Sequence, residues 1–165
     1  INTEMPTDYH RADVLGEALG DCWQQRYQIF INTCLGNKFV SNRRFDLSDG
    51  PNATRTGESA VISKRGHSYV MVNIHWDHQS LSARQSSALE TAAEVAEYNE
   101  KPVIVVGDFN SGCQSSEVDL MLDSTTLTLI KDGGIDCIFA KGLMGDGQTF
   151  SANPSDHPGI VVTLR

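Results

Sequence analysis

The sequence has no apolar run near the roughly 18 residues that a membrane-spanning helix needs. No charged-then-apolar segment opens it as a secretory leader would. No C-x-x-C pair occurs among its four cysteines, Cys22, Cys34, Cys113 and Cys137, so a zinc ribbon or thioredoxin-like site has no support. Repeats, low-complexity tracts and Pro/Ser-rich linkers are missing too, leaving no boundary at which to divide the 165 residues. Positive charge is scarce: 13 Lys and Arg face 21 Asp and Glu, a formal net charge of −8. Such a chain repels a polyanion at long range, which excludes a metal-free, high-affinity nucleic-acid coat protein. It leaves open an enzyme that meets phosphates through a bound divalent cation, because the ion inverts the local field.

What is present is ordinary globular material, 39% hydrophobic and 21% charged, enough for one domain over residues 1–165 with its own core. Four cysteines permit disulfides in three connectivities without demanding any. Cys137, inside the apolar run 135–140, is expected to be a buried thiol. One N-x-T sequon stands at Asn52-Ala53-Thr54.

Periodicity sets out the elements. Asp8 is placed to cap a helix with Val14, Leu15, Ala18 and Leu19 on one face. Residues 27–32 and 38–40 are β-rich, whereas 43–58 carries Gly, Pro, Asn, Asp and Ser in quantity and reads as a loop. Residues 59–63 and 68–75 suggest an antiparallel pair joined at Lys64-Arg65-Gly66-His67. Helical spacing of Leu81, Ala88, Leu89, Ala92, Val95 and Ala96 predicts a helix over 80–98. Pro102-Val103-Ile104-Val105-Val106 has the continuous apolarity of a strand covered on both faces. A short helix over 116–123 and strands over 135–140 and 160–164 complete an α/β layered arrangement with a mixed central sheet.

Four polar clusters stand at the ends of apolar strands: Asn73-Ile74-His75, Gly107-Asp108-Phe109-Asn110, Ile135-Asp136-Cys137-Ile138-Phe139 and Ser155-Asp156-His157-Pro158. Each alone is explicable as a turn, a cap or an ion pair. Together, in this order, they resemble the endonuclease/exonuclease/phosphatase superfamily, the deoxyribonuclease-I-like proteins. Arg84-Gln85 early in its helix and the segment Gly36-Asn37-Lys38-Phe39-Val40-Ser41 agree with that resemblance, which is good from about residue 36 onward and weak before it.

The resemblance implies a deoxyribonuclease-I-like, four-layered α/β sandwich of two mixed sheets, with metal and substrate at one edge, and a hydrolase that uses Mg²⁺ or Mn²⁺. Carried over by motif, Asp108 and Asn110 would lie beside the scissile phosphate, and His75 would bond a phosphate oxygen. His157 would act as general base or transition-state stabiliser with Asp136 fixing its ring, and Asp156 would contact the ion directly or through water. A further metal ligand is expected in Ile1-Asn2-Thr3-Glu4-Met5-Pro6, where Glu4 stands after Thr3 in place of the usual glutamine. The chemistry suits these types. A phosphodiester repels hydroxide, so the site must supply positive charge and an oriented water. Carboxylates suit a hard ion, and imidazole titrates near neutrality.

The pattern also departs from the family. The strand expected before Glu4 is absent, so the chain is expected to be an N-terminally truncated form or a member without that strand. Only 25 residues separate Gln114 from Ile138 inclusive, an interval that in abasic-site repair members is longer, which disfavours repair specificity. Arg43, Arg44 and Arg55 flank the site in sequence as possible phosphate contacts, and Trp76 and His78 as possible cleft residues. The expected activity is a divalent-metal-dependent nuclease on DNA with little sequence preference. Its rivals are a phosphatase or phosphodiesterase acting on a lipid headgroup or small phosphate ester, and an inactive binding or scaffold relative.

Overall fold

The computed structural model describes residues 22–51 and 53–165. Glu4, the helix expected after Asp8 and the sequon's Asn52 lie outside the described residues.

Strands β1 (Trp23–Arg26) and β2 (Ile29–Asn32) form a hairpin that a single 3₁₀ turn, Thr33–Leu35, connects to a larger sheet. Strands β3 (Asn37–Gly50), β4 (Ala53–Lys64) and β5 (His67–His75) meander antiparallel into that sheet. Helix α1 (Leu81–Ala96) then crosses to β6 (Val103–Asp108), which lies parallel to β5. Helix α2 (Ser116–Asp123), β7 (Thr128–Asp132) and β8 (Asp136–Lys141) follow, and the hairpin of β9 (Gly145–Phe150) and β10 (Gly159–Leu164) ends the chain. The six-stranded order is β3-β4-β5-β6-β8-β7, mixed because only the β5–β6 pair is parallel.

Alternation sorts the side chains by face. Val61, Val70, Val72, Val105 and Phe139 point to one side and pack under α1 and α2 through Ala88, Ala92, Val95, Val118 and Met121. On the opposite side, Ala60 and Ile62 meet Ile29 and Ile31 of the first hairpin, and Ile104, Val106 and Ile138 meet Ile160, Val162 and Leu164 of the last. Among the described residues this gives three layers of an α/β sandwich: helices, mixed sheet and antiparallel hairpins. No helix among the described residues is long and apolar enough to cross a membrane.

Both helices begin at a serine cap. The Ser80 hydroxyl accepts from Ala83 N–H at 3.2 Å, and Ser115 from Val118 N–H at 3.4 Å. The turn predicted at residues 64–67 forms with Arg65 and Gly66 both at positive φ, 51° and 85°.

Two expectations are corrected. Residues 43–58 are not a loop but most of the long β3–β4 hairpin. Its polar composition suits an outer strand with a solvated face, and Gly57 is there because the Phe45 ring lies over it: a Cβ would stand 2.1 Å from Phe45 Cζ. Cys137 is buried as expected but is not a thiol. It bonds Cys113, and Cys22 bonds Cys34, so all four cysteines are used. Strands β1, β7 and β9 are additions to the expected set.

Gly107 is the tightest backbone contact beside the polar strand ends. Its φ is +144°, and a Cβ there would stand 1.9 Å from Ile74 O on the neighbouring strand. Gly107→Ala is expected to push β6 from β5 at a cost of about 3 kcal/mol or more. A thermal melt checks it, with Tm lower by roughly 6–12 °C.

Candidate active site

The site grows from the shared register of three strands. His75 ends β5 opposite Asp108 at the end of β6, and Asp108 lies opposite Asp136 at the start of β8. All three face the hairpin side, as do Val106 and Ile138 two residues away on their strands. The last hairpin brings His157 over them: its Nδ1 lies 2.7 Å from Asp136 Oδ2. His75 Nε2 is 3.6 Å from Asp108 Oδ2. One ligand atom each from Asp108, Asp136 and His157 fall within 4.8 Å of one another.

The strand after Asp108 turns sharply. Asn110 takes φ +47°, its N–H donates to Asp108 Oδ1 at 2.7 Å, and its side-chain amide donates to Trp76 O at 2.8 Å. The turn is fixed from below by Phe109, whose ring meets Trp76 and Phe139 edge-on at 4.7 and 5.4 Å. The Cys113–Cys137 bond ties the same loop to β8 one residue after Asp136. Ser155 Oγ accepts from His157 N–H at 3.1 Å and shapes the turn that presents the imidazole.

Burial and charge set the protonation states. Burial, reinforced by nearby Arg55, lowers the His75 pKa to about 4 against the pull of Asp108, so this ring is neutral at pH 7. For His157, burial opposes the imidazolium, but the hydrogen bond and charge of Asp136 outweigh it and raise the pKa. Burial raises the Asp108 pKa, helped by Asp136 and opposed by the Asn110 N–H and the two histidines.

Of the expected site residues, His75, Asp108, Asn110, Asp136 and His157 converge here. Asp156 stands at the rim, its side chain 89% exposed and Oδ1 3.9 Å from His157 Nε2. Glu4 lies outside the described residues. Among the flanking arginines, Arg43 is committed elsewhere, donating through two nitrogens to Glu94 of α1 at 2.9 and 2.6 Å. Arg55 lies close by, nearly buried, 3.1 Å from His78 Nδ1 and 3.8 Å from Asp77 Oδ2. Trp76 is fully buried in the core and does not line a cleft.

Sequence reasoning missed Asp77 and Glu117. Asp77 Oδ1 accepts from the N–H groups of Gln79 and Ser80, shaping the turn between His75 and α1. Glu117 accepts from Arg84 at 3.1 Å and from Ser111 at 3.0 Å, while Arg84 donates to Asp77 O at 3.1 Å. Arg84 and Glu117 thus join the turns that follow His75 and Asn110. The detectable signal was an Asp at the start of a turn, where its carboxylate can bond the backbone N–H two residues on; nothing in the spacing marks Glu117.

No family model and no curated protein matches the sequence. Solved structures do resemble the fold. An endonuclease/exonuclease/phosphatase of Bacteroides vulgatus superposes with TM-score 0.71 at 20% identity, over 82% of this chain and 68% of that one. The mannosyl-6-phosphatase of Bacteroides thetaiotaomicron gives 0.67 at 20% identity, over 82% and 69%. TDP2 of D. rerio, complexed with a single-strand DNA product, gives 0.66 at 14% identity, over 82% and 71%.

Proposed function

From a chain with the deoxyribonuclease-I-like fold of the endonuclease/exonuclease/phosphatase proteins, we propose a divalent-metal-dependent phosphoesterase, a nuclease on DNA with little sequence preference. The observation that carries this reading is the convergence of His157–Asp136 with Asp108, Asn110 and a neutral His75 at one sheet edge.

The residues fit a hard cation. Asp136 Oδ1 is buried without a hydrogen-bond partner, and Asp108 opposes Asp136 directly across β6 and β8. Two buried carboxylates so placed repel each other unless positive charge lies between or beside them. With Asp136 Oδ2 on His157 and Asp108 Oδ1 on the Asn110 N–H, the oxygens left for an ion are Asp108 Oδ2 and Asp136 Oδ1. Asp156 at the rim and Glu4 are proposed to add to the set. Oxygen donors with room for waters suit Mg²⁺ or Mn²⁺. Bound there, such an ion supplies charge stabilisation to the phosphate oxygens.

The chain's own groups move the proton. His157 Nε2 takes a proton from the attacking water while Asp136 holds the Nδ1 proton and balances the imidazolium. As the water oxygen bonds to phosphorus, the ester P–O bond breaks, the leaving oxygen takes up a proton from solvent water, and the His157 imidazolium returns its proton to solvent. Neutral His75 donates a ring N–H to a non-bridging oxygen, and Asn110, held by Trp76 O, orients the phosphate without adding negative charge.

Plasmid DNA and a generic phosphomonoester, each with Mg²⁺ or chelator, test the assignment. Nicking of plasmid only with Mg²⁺ is the expected result. Phosphomonoester turnover with intact plasmid points instead to a small phosphate ester, and inactivity on both points to a scaffold.

The Asp136–His157 pair also sets a pH response. Because the folded His157 pKa is raised, the pair stabilises the fold fully below the unfolded value of about 6.5 and loses this as pH rises through the folded value. The NMR titration of His157 in chelator is expected to have its midpoint above that of a free imidazole and to move down in Asp136→Asn. An unchanged midpoint contradicts the pairing.

A further inference from the structure

The first hairpin carries a feature that hydrolysis does not use. Its two-residue turn, between the paired Arg26 and Ile29, has Tyr27 at φ +50° in its first position. Glycine is usual where a tight hairpin turn needs positive φ, and a bulky residue there carries a conformational cost. The ring is kept regardless, 40% exposed, with the Arg44 guanidinium stacked on it at 4.1 Å. Arg44 is itself 55% exposed and only loosely paired, 3.9 Å from Glu58. Beside it, Arg26 lies over the Phe39 ring at 5.6 Å. On a chain of net charge −8, this is a local concentration of aromatic and cationic groups.

The turn is held in place from the sheet. Gln28 N–H donates to Glu58 Oε2 at 2.8 Å, and Asn73 Nδ2 donates to Gln28 Oε1 at 3.2 Å. Arg44, Glu58 and Asn73 form one row across β3, β4 and β5, on the face that His75 shares two residues beyond Asn73. With strands about 4.8 Å apart and a rise of about 3.3 Å per residue, the row places Arg44 roughly 12 Å from His75 along the sheet. A polynucleotide passing His75 brings a neighbouring nucleotide within reach of that position.

The geometry points to Tyr27 and Arg44 as a stacking subsite for an unpaired nucleobase flanking the scissile phosphate, so that single-stranded nucleic acid is bound in preference to duplex. This rests on the phosphodiesterase reading above and names its substrate form. Aromatic rings and guanidinium planes accept any base with an open π-face, which matches low sequence preference. In a duplex, both faces of each base are already stacked.

The test is fluorescence anisotropy of a labelled 12-residue oligothymidylate with Mg²⁺, using the full chain carrying His157→Ala so that cleavage is slow on the timescale of the measurement. Adding Tyr27→Asn removes the ring while supplying a residue that tolerates positive φ. It is expected to weaken binding about tenfold. Tyr27→Phe keeps the ring and is expected to keep the affinity, and a 12-base-pair duplex is expected to bind more weakly and to ignore Tyr27→Asn. Equal affinities for the Asn and Tyr forms, equal losses on duplex and single strand, or no measurable binding overturn the subsite. Failure of the underlying reading shows separately, as no Mg²⁺-dependent cleavage of either plasmid or single-stranded DNA by the native chain.

Discussion

Replacing His157 with alanine is expected to lower kcat on a chromogenic phosphodiester by about 10²- to 10⁴-fold, the usual worth of a positioned general base. The fold should survive. His157 sits on the turn between β9 and β10, and its side chain bonds Asp136 and stands 3.9 Å from the exposed Asp156. Losing that contact leaves the buried Asp136 carboxylate at the start of β8 without its imidazole partner, a cost of about 1–3 kcal/mol. The variant is therefore expected to melt a few degrees lower while remaining folded. Circular dichroism and steady-state kinetics on the same preparation separate the two effects. Retained turnover in a folded variant removes His157 from the mechanism.

Asp108→Asn is expected to move stability and activity in opposite directions. Asp108 and Asp136 are directly opposed and both buried, so one amide in place of a carboxylate relieves repulsion worth up to about 1 kcal/mol. In chelator the variant should therefore melt roughly 2–4 °C above the native chain. Saturating Mg²⁺ should reverse the order. A site filled at a hundred times its Kd adds about 2.7 kcal/mol to the native chain and nothing to one that no longer holds the ion. Turnover should fall about a thousandfold, since several kcal/mol of charge stabilisation is lost. Thermal melts with and without Mg²⁺, alongside kinetics, check all three signs. A variant that still gains stability from Mg²⁺ contradicts the placement of the ion at Asp108.

Much of this site was legible because it sits where local signals are strong. Val103–Val106 is apolar at every position and became the central strand β6, and its polar continuation Gly107-Asp108-Phe109-Asn110 could only lie at the strand's end. Helical spacing over 80–98 marked α1, which runs Leu81–Ala96, and the short helix expected over 116–123 is α2. What stayed hidden depends on distant partners. Residues 43–58 look like a loop because turn-forming residues dominate, yet Phe45 covers Gly57 and each strand gains its order from the other. The Gly145–Phe150 strand has little β propensity of its own and exists as the partner of β10. Spacing could not say which cysteines pair, nor that Asp136 would meet His157, 21 residues away, at 2.7 Å. The proposed roles came from the ordered motifs, but the register that lines up His75, Asp108 and Asp136 on adjacent strands is a property of the sheet.

Calorimetric titration with Mn²⁺ tests the central claim most directly, because it asks whether the converging carboxylates hold a cation at all. The native chain is expected to bind with a saturable heat that disappears when Asp108→Asn and Asp136→Asn are combined. No heat from the native chain, or the same isotherm from the double variant, would contradict it.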